Sequence, residues 1–98
     1  MKVFISQPMS NRTDLEIMEE RDEAIERIRA KYGEDVEVMN NYFDPAPDGA
    51  RQLWFLGKSF ELLAISDIAY FIGDWKNYKG CRLEHMACQE YGIDFIEE

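Results

Sequence analysis

Short apolar segments alternate with longer helical segments along the chain, and this alternation constrains the fold more than any other feature. Strands are predicted at Lys2–Ser6, Val36–Met39, Asp67–Ile72 and Ile93–Ile96. Helices are predicted from near Asp14 to about Tyr32, over Arg51–Ile65 and over Gly80–Tyr91. Strands that alternate with helices pair in parallel through right-handed crossovers. The sequence therefore predicts a small three-layer α/β sandwich with a parallel four-stranded sheet.

Local signals agree with this element order. Thr13 and Glu16 form a capping-box pattern, and Gly33 and Gly92 suit the ends of helices. The almost continuous apolar run at Asp67–Ile72 is typical of a strand covered on both faces. In flavodoxin-like and Rossmann-like sheets of this kind, ligands bind outside the carboxyl ends of the strands. The loops expected to carry a site are therefore Ser6–Asn11, Asn40–Ala50 and Gly73–Gly80.

Length and composition exclude several classes of protein. The 98 residues are enough for one domain, spanning 1–98, and the 46% hydrophobic content is too high for a disordered chain. The net charge of −9 repels phosphate backbones, so no nucleic-acid partner is expected. No apolar run approaches the roughly 20 residues of a membrane span, and the N-terminus does not resemble a signal peptide. We expect a cytoplasmic protein with no membrane partner.

Familiar cofactor and catalytic motifs are missing from the sequence. No Gly-x-Gly-x-x-Gly follows the first strand, and neither a P-loop nor a Gly-x-Ser-x-Gly elbow occurs. Cys81, His85 and Cys88 share one narrow helical arc, but no fourth ligand has zinc-type spacing, so no metal is expected. The alternative is a semi-exposed or interface face. The position of Cys81 near a helix start favours a lowered thiol pKa.

Glu84 is the strongest candidate for chemistry. It lies about one turn into the third helix, on the side where a ligand is expected. Helical spacing predicts that Leu83 and Ala87 face the sheet and that Glu84 lies on the flank of that face. A carboxylate in that position is reachable and partly desolvated, which suits a nucleophile or a general base. The alternative is a glutamate that only favours the helix dipole.

Arg21 and the start of the third helix are two further candidates. Arg21 interrupts the apolar stripe of the first helix near its ligand-side end, so it is predicted to bind an anion or a pocket carboxylate. The alternative is an arginine with a packed stem and a solvated head. Backbone N–H groups at Gly80 offer a phosphate contact, as in every fold of this class. Aromatic residues in or beside the loops either stack a planar base or pack the loops: Tyr42, Phe43, Trp54, Trp75 and Tyr78.

Three stretches resemble the nucleoside 2-deoxyribosyltransferase-like superfamily, and more closely one of its small bacterial and phage branches. They are Lys2–Met9 (KVFISQPM), Ser66–Ile72 (SDIAYFI) and Gly73–His85 (GDWKNYKGCRLEH). The similarity covers nearly the whole chain with the same element order. Its most specific part is the final loop and helix, from Trp75 to Glu84.

This resemblance implies roles for individual residues. In the characterised relatives, the glutamate at the position of Glu84 attacks the anomeric carbon of a 2-deoxyribosyl N-glycoside. The glycosyl-enzyme intermediate then passes to another base or to water. The resemblance implies that the loop Ser6, Gln7, Pro8 and Met9 lines the pocket and that Asp74 and Trp75 border it. An activated carboxylate needs neither a metal nor another cofactor for this step.

One position departs from the family pattern. Relatives commonly carry an aspartate eight residues before the Asp that opens the third strand, and Ser59 stands at that position here. That aspartate helps to protonate the departing base or to position the sugar, and a serine cannot supply an acid. Either another group, such as Asp74, replaces it, or the chain does not catalyse this reaction.

Three functional hypotheses follow. The first is an enzyme that cleaves or transfers the N-glycosidic bond of a nucleoside or nucleotide. The second is a non-catalytic binding module for a nucleotide-derived small molecule, and the third is an interaction domain that uses its acidic surface. Relatives often form oligomers with shared sites, so a homo-oligomer, dimer or higher, is expected. The face formed by Cys81, His85 and Gln89 is the predicted contact.

Overall fold

The computed structural model describes residues 1–41 and 46–98, which form the predicted α/β architecture. The strands are β1 (Lys2–Ser6), β2 (Glu37–Val38), β3 (Ile68–Phe71) and β4 (Asp94–Glu97). The helices are α1 (Asp14–Tyr32), α2 (Gln52–Ala64) and α3 (Lys79–Tyr91), with a short 3-10 helix at Trp75–Asn77. All pairings between these strands are parallel, in the order β2-β1-β3-β4. The predicted fold class is confirmed.

Helix α1 begins with the predicted capping box. The Glu16 N–H donates to the Thr13 hydroxyl over 3.1 Å, and the Glu16 carboxylate accepts from the Thr13 N–H over 3.2 Å. Two N–H groups that the first helical turn leaves unpaired are thereby satisfied. Gly92 ends α3 in the left-handed conformation, with φ of +70°. A residue with a side chain adopts that conformation only at a cost, which explains why the helix stops at a glycine.

Two apolar clusters lie on opposite faces of the sheet. Val3 and Ile5 of β1 pack with Ala24 and Ile28 of α1 on one face. On the other face, Phe4 packs with the residues that α2, β3, the 3-10 helix and α3 contribute: Leu63, Ala69, Phe71, Trp75, Cys81 and Cys88. Successive side chains of a strand point to opposite faces, so this alternation assigns α1 to one layer and α2 with α3 to the other.

The edge strand β2 is shorter than predicted. Only Glu37 and Val38 form strand pairs, opposite Lys2 and Val3, although the Met39 N–H still donates to the Val3 carbonyl over 2.8 Å. The strand order reverses direction between β1 and β3, because the chain moves from β1 to one edge and then returns to the other side. Open parallel sheets hold ligands at such a reversal, outside the carboxyl ends of the strands. In the part of the chain that the structure describes, no helix is both long and apolar enough to cross a membrane.

Candidate functional site

A wide cleft lies at the carboxyl edge of the sheet. Its volume is about 1730 Å³, above the roughly 300–1,000 Å³ of common small-molecule pockets, so a nucleoside-sized ligand would fill only part of it. All three loops predicted to carry a site contribute to the wall. The lining includes Gln7, Pro8, Met9, Asn41, residues 46–56, Ser59, residues 78–81 and Glu84.

Glu84 is a buried carboxylate in the wall of this cleft. The residue is only 6% exposed, and its Oε1 accepts a 2.7 Å hydrogen bond from the Ser6 hydroxyl. Burial raises the pKa of Glu84 to about 7, while hydrogen bonding by the Ser6 and Ser59 hydroxyls acts in the opposite direction. Desolvation therefore dominates, and this carboxyl group changes charge near neutral pH.

Three elements bring this carboxylate and its hydroxyl partners together. Ser6 is the last residue of β1 and points to the same face as Phe4, towards α2 and α3. Ser59 is one of the two buried residues of α2, and Glu84 is one of the three buried residues of α3. We call Ser6, Ser59 and Glu84 the Glu84 cluster.

The buried face of α3 differs from the predicted one. Leu83 was expected to face the sheet with Ala87, but Leu83 is 40% exposed and Ala87 is only half-buried. Cys81, Glu84 and Cys88 are buried instead. The observed buried face is rotated about the helix axis by about 100°, or one residue, from the predicted face. The prediction placed Glu84 at the edge of the buried face, whereas Glu84 lies within it. A hydrogen bond from β1, which sequence alone does not reveal, allows Glu84 to be buried.

Cys81, His85 and Gln89, the predicted contact residues, do not share one exposed face. Cys81 lies in the core, and the His85 ring stacks on Trp75 with 4.5 Å between ring centroids. His85 Nε2 also lies 2.5 Å from Oε1 of Glu97. Only Gln89 of the three remains exposed. Within residues 1–41 and 46–98, no group of His, Cys, Asp or Glu side chains has the arrangement of a metal site.

The two cysteines are buried free thiols. Burial raises the pKa of Cys81 to about 12, although a hydrogen bond with Ser6 acts to lower it. Burial likewise raises the pKa of Cys88 to about 11. The expected lowering of the Cys81 pKa is therefore wrong, because loss of solvation outweighs any benefit from the helix start. Both thiols remain protonated at neutral pH.

The loop after β1 is fixed by hydrogen bonds to α1 and by the side chain of Arg12. Gln7 Nε2 donates to the Ile17 carbonyl over 2.7 Å and to Glu20 Oε1 over 3.1 Å. Arg12 Nη1 donates to the same Glu20 oxygen over 2.7 Å and to the Pro8 carbonyl over 2.8 Å. Gln7 and Pro8 are thus held in defined positions on the cleft wall.

Arg21 lies behind the cleft. Its buried guanidinium donates to Asn41 Oδ1 over 2.8 Å and to the Met39 carbonyl over 2.6 Å. Asn41 Nδ2 in turn donates to the Ile5 carbonyl over 2.7 Å. Arg21 does not line the cleft, but it orients Asn41, which does. Sequence reasoning did not single out Asn41, although a polar residue just after β2 at the carboxyl edge was a usable signal.

The remaining predicted site residues divide into two groups. Gly80 and Ser59 line the cleft, as do the aromatic residues Trp54 and Tyr78. Asp74 is exposed and lies outside the cleft wall, while Trp75 is buried against Phe71 with 5.1 Å between ring centroids. Tyr42 and Phe43 lie outside the described residues.

Two helices begin at the cleft. Arg51 and Tyr78 are the N-cap residues of α2 and α3, and neither makes a side-chain cap hydrogen bond. The first turns of both helices therefore lie at the cleft without a cap from these two side chains. Lys79 and Arg51 add positive charge to a wall that also carries Asp48. Asp48 is a further carboxylate that sequence reasoning did not single out.

No family model, curated protein or solved structure matches this chain. The central element of the site is a desolvated carboxylate with a pKa near neutrality beside an open cleft. Such a group can act as a nucleophile, as a general base or, when protonated, as an acid.

Proposed function

We propose that this chain cleaves or transfers the N-glycosidic bond of a nucleoside or nucleotide, with Glu84 as the nucleophile. The buried Glu84 carboxylate, hydrogen-bonded by Ser6 at the wall of the cleft, carries this proposal. The resemblance of Lys2–Met9 and Trp75–Glu84 to the nucleoside 2-deoxyribosyltransferase-like superfamily supports the same assignment. No metal or cofactor is part of the proposed step.

In the proposed reaction, a Glu84 carboxylate oxygen forms a bond to C1′ of the sugar. The C1′–N bond breaks, its electron pair leaves with the base, and the base takes up a proton. The resulting glycosyl ester of Glu84 is then attacked at C1′ by water or by a second base, which releases the carboxylate. Ser6 holds one oxygen of the carboxylate throughout the approach of the sugar.

Burial of Glu84 favours ester formation in this scheme. The raised pKa means that the negative charge is poorly solvated in its pocket. Attack on C1′ converts the buried anion into a neutral ester, so the cost of holding the charge is relieved as the covalent bond forms. The Ser6 and Ser59 hydroxyls limit that cost in the free enzyme, so that a substantial fraction of Glu84 is ionised at neutral pH.

The departing base also needs a proton. Ser59 cannot supply one, and Asp74 lies away from the cleft wall, which weighs against Asp74 as the acid. Besides Glu84, Asp14 and Asp48 are the carboxyl residues among the described part of the lining. In our proposal Asp48 or solvent protonates the base.

A second candidate function is a binding module for a nucleotide-derived small molecule. The serine at position 59 favours it, because the hydroxyl leaves the Glu84 cluster without an acid adjacent to the carboxylate. In that case the cleft holds its ligand and no bond breaks. Both candidates act on a small molecule, and neither involves a nucleic acid or a membrane.

We further propose a homo-oligomer in a cytoplasmic setting. The cleft is wider than a nucleoside requires, which supports closure by a second copy. The two free cysteines support a reducing compartment.

Base release tests the proposed function. Wild type, Glu84→Gln and the control Glu90→Gln, which makes the same change on the exposed face of α3, are incubated with 2′-deoxynucleosides and their 5′-monophosphates. Liquid chromatography then separates the free bases. Release by wild type and Glu90→Gln but not by Glu84→Gln supports the enzyme. A ligand-induced thermal shift without base release supports the binding module instead.

A further inference from the structure

Exposed apolar side chains are concentrated on α2 and α3. The described residues leave nine large hydrophobic side chains exposed, and five of them belong to these two helices: Leu53, Phe60, Leu83, Met86 and Tyr91. Apolar side chains scattered singly over a surface need no explanation, whereas a contiguous apolar patch marks an interaction site. Contiguity of the side chains on α2 and α3 therefore distinguishes the two cases.

These side chains form one continuous surface. Residues four apart lie on one side of a helix, and this spacing recurs in both helices: Leu56, Phe60 and Ala64 in α2, and Leu83, Ala87 and Tyr91 in α3. The two rows border a groove of about 460 Å³ that is lined by apolar residues: Phe60, Leu63, Ala64, Ala87, Tyr91 and Ile93. Towards the start of both helices the surface reaches the cleft, since Leu53, Leu56 and Leu83 lie in the cleft wall. We call the two rows, with Leu53 and the groove, the α2/α3 face.

The α2/α3 face has both a protrusion and a hollow. Tyr91 is 83% exposed, and the small residues Ala64 and Ala87 lie beside it in the lining of the groove. In a two-fold contact between identical subunits, the same patch lies on both sides of the interface. That patch therefore has to supply protrusions and hollows at once, and the α2/α3 face does so.

Gly57 gives a second indication of a close contact at this face. It lies exposed in the middle of α2, and a Cβ there would meet no atom of the described chain within 4 Å. A glycine in a helix interior is destabilising relative to an alanine, and packing within the described chain gives no reason for one here. Close approach of another backbone, beside Leu53 and Phe60 on the same side of α2, gives such a reason.

The distribution of charge favours a second copy of this chain as the partner. The chain has a net charge of −9, and α1, on the opposite face of the sheet, has seven acidic and four basic residues. Helix α2 has one lysine and one glutamate, which pair over 3.3 Å, and α3 has two lysine or arginine residues and two glutamates. A basic partner would be attracted to α1, whereas two acidic chains repel each other least where their surfaces are neutral and apolar.

We propose that the α2/α3 face is the contact surface of a two-fold dimer of this chain. The inference gives the homo-oligomer proposed above a defined surface, and it holds whether or not Glu84 breaks a glycosidic bond. Two helices of 13 residues side by side present roughly 20 Å by 20 Å, or about 400 Å² before the relief of the side chains is counted. Standard interfaces bury about 800 Å² per partner, so the expected dimer is a reversible one. A second copy on this face also borders the cleft, because the face reaches the cleft wall.

Analytical ultracentrifugation over protein concentrations from micromolar to millimolar tests this inference. The mean mass of wild type should rise with concentration from 11.6 kDa, the mass of one chain, towards twice that value. Tyr91→Glu and Phe60→Glu each place a carboxylate in the contact and should raise the dimer Kd by about 10- to 100-fold. Leu15→Glu is the matched control, because it adds the same charge at an exposed apolar residue of α1 and should leave the dimer Kd unchanged.

Added salt provides a second readout of the same dimer. Both copies carry a net negative charge, and their contact is apolar, so screening of the repulsion should lower the dimer Kd as the salt concentration rises. An interface formed by exposed ion pairs would respond in the opposite direction.

Three results would overturn the inference. They are a wild type that keeps the mass of one chain up to millimolar concentration, association that both folded glutamate variants retain, and a dimer that salt weakens. Circular dichroism establishes that each variant is folded, and Tyr91→Ser replaces a variant that is not. Because the readout is mass, none of these results depends on base release, so this inference and the proposed glycosidic chemistry fail separately.

Discussion

The Ser6 hydroxyl and the Glu84 carboxylate are joined by a 2.7 Å hydrogen bond across 78 residues of sequence. This bond connects the carboxyl end of β1 to the second turn of α3. It supplies a partner to a carboxylate that would otherwise be costly to bury. The position and the titration of Glu84 therefore both depend on a residue from the other end of the chain.

Ser6→Ala should raise the pKa of Glu84 above its value of about 7, because hydrogen bonding by Ser6 acts to lower it. The same change should reduce the free energy of unfolding by about 1–2 kcal/mol at pH 8. A ¹³C NMR titration of the carboxyl groups, assigned with Glu84→Gln, measures the pKa directly. Ser66→Ala, which removes a hydroxyl bonded to the Leu62 carbonyl, is the control. A Glu84 pKa that is unchanged in Ser6→Ala would contradict this account.

Glu84→Gln should stabilise the protein as the pH rises. Burial raises the pKa of Glu84 from 4.5 to about 7, so the folded state holds a proton that the unfolded state releases between those values. Wild-type stability therefore falls from about pH 4.5 to about pH 7, whereas the neutral glutamine carries no such cost. The free energy of unfolding of the variant should equal that of wild type near pH 4.5. At pH 8 it should be higher than that of wild type by about 3 kcal/mol.

Urea unfolding at a series of pH values measures this difference. Glu90→Gln on the exposed face of α3 controls for the change in net charge. A Glu84→Gln variant that is less stable than wild type at pH 8 would show that the ionised carboxylate stabilises the folded protein. That result would contradict a Glu84 pKa raised by burial.

Gly73→Ala should cost more stability than Gly92→Ala. Both glycines have positive φ, +63° and +70°, so an alanine is strained at either position by about 1–2 kcal/mol. A Cβ at Gly73 would also lie 2.9 Å from Glu20 Oε2, whereas a Cβ at Gly92 has open space. Chemical denaturation of both variants gives the comparison. Equal costs would mean that Glu20 moves away freely and does not hold the Gln7 amide firmly.

Neither cysteine should react readily with a thiol reagent while the protein is folded. Burial raises the pKa of Cys81 to about 12 and that of Cys88 to about 11, so the reactive thiolate is scarce at pH 8. Reaction of the folded protein with a chromogenic disulfide should be slow in buffer. In denaturant, both thiols should react rapidly. Fast reaction of one thiol under native conditions would show that its site is open to solvent.

The fold was predictable because its signals are local. Alternation of apolar and helical segments, the capping box at Thr13 and the stop at Gly92 each depend on neighbouring residues, and all are confirmed. The length of β2 was predicted less well, because pairing at an edge depends on its single neighbour β1.

The site was predictable in part. The sequence singled out Glu84, which lies in the wall of the cleft, and the cleft lies where parallel sheets place ligands. The buried face of α3 was not predicted, because burial of a glutamate depends on a hydroxyl contributed by β1. The hydrogen-bond partners of Arg21 and of the Gln7 amide also lie in other segments of the chain. Residue periodicity contains no information about such pairs.

Trapping of the glycosyl-enzyme intermediate tests the central claim most directly. The protein is incubated with 2′-deoxy-2′-fluoroarabinosyl nucleosides, because the fluorine slows release of a sugar ester, and is then quenched in acid. Peptide mass spectrometry should find the mass of the sugar on Glu84 of wild type and on no peptide of Glu84→Gln. Base release without any adduct, or an adduct on another residue, would contradict the assignment of Glu84 as the nucleophile.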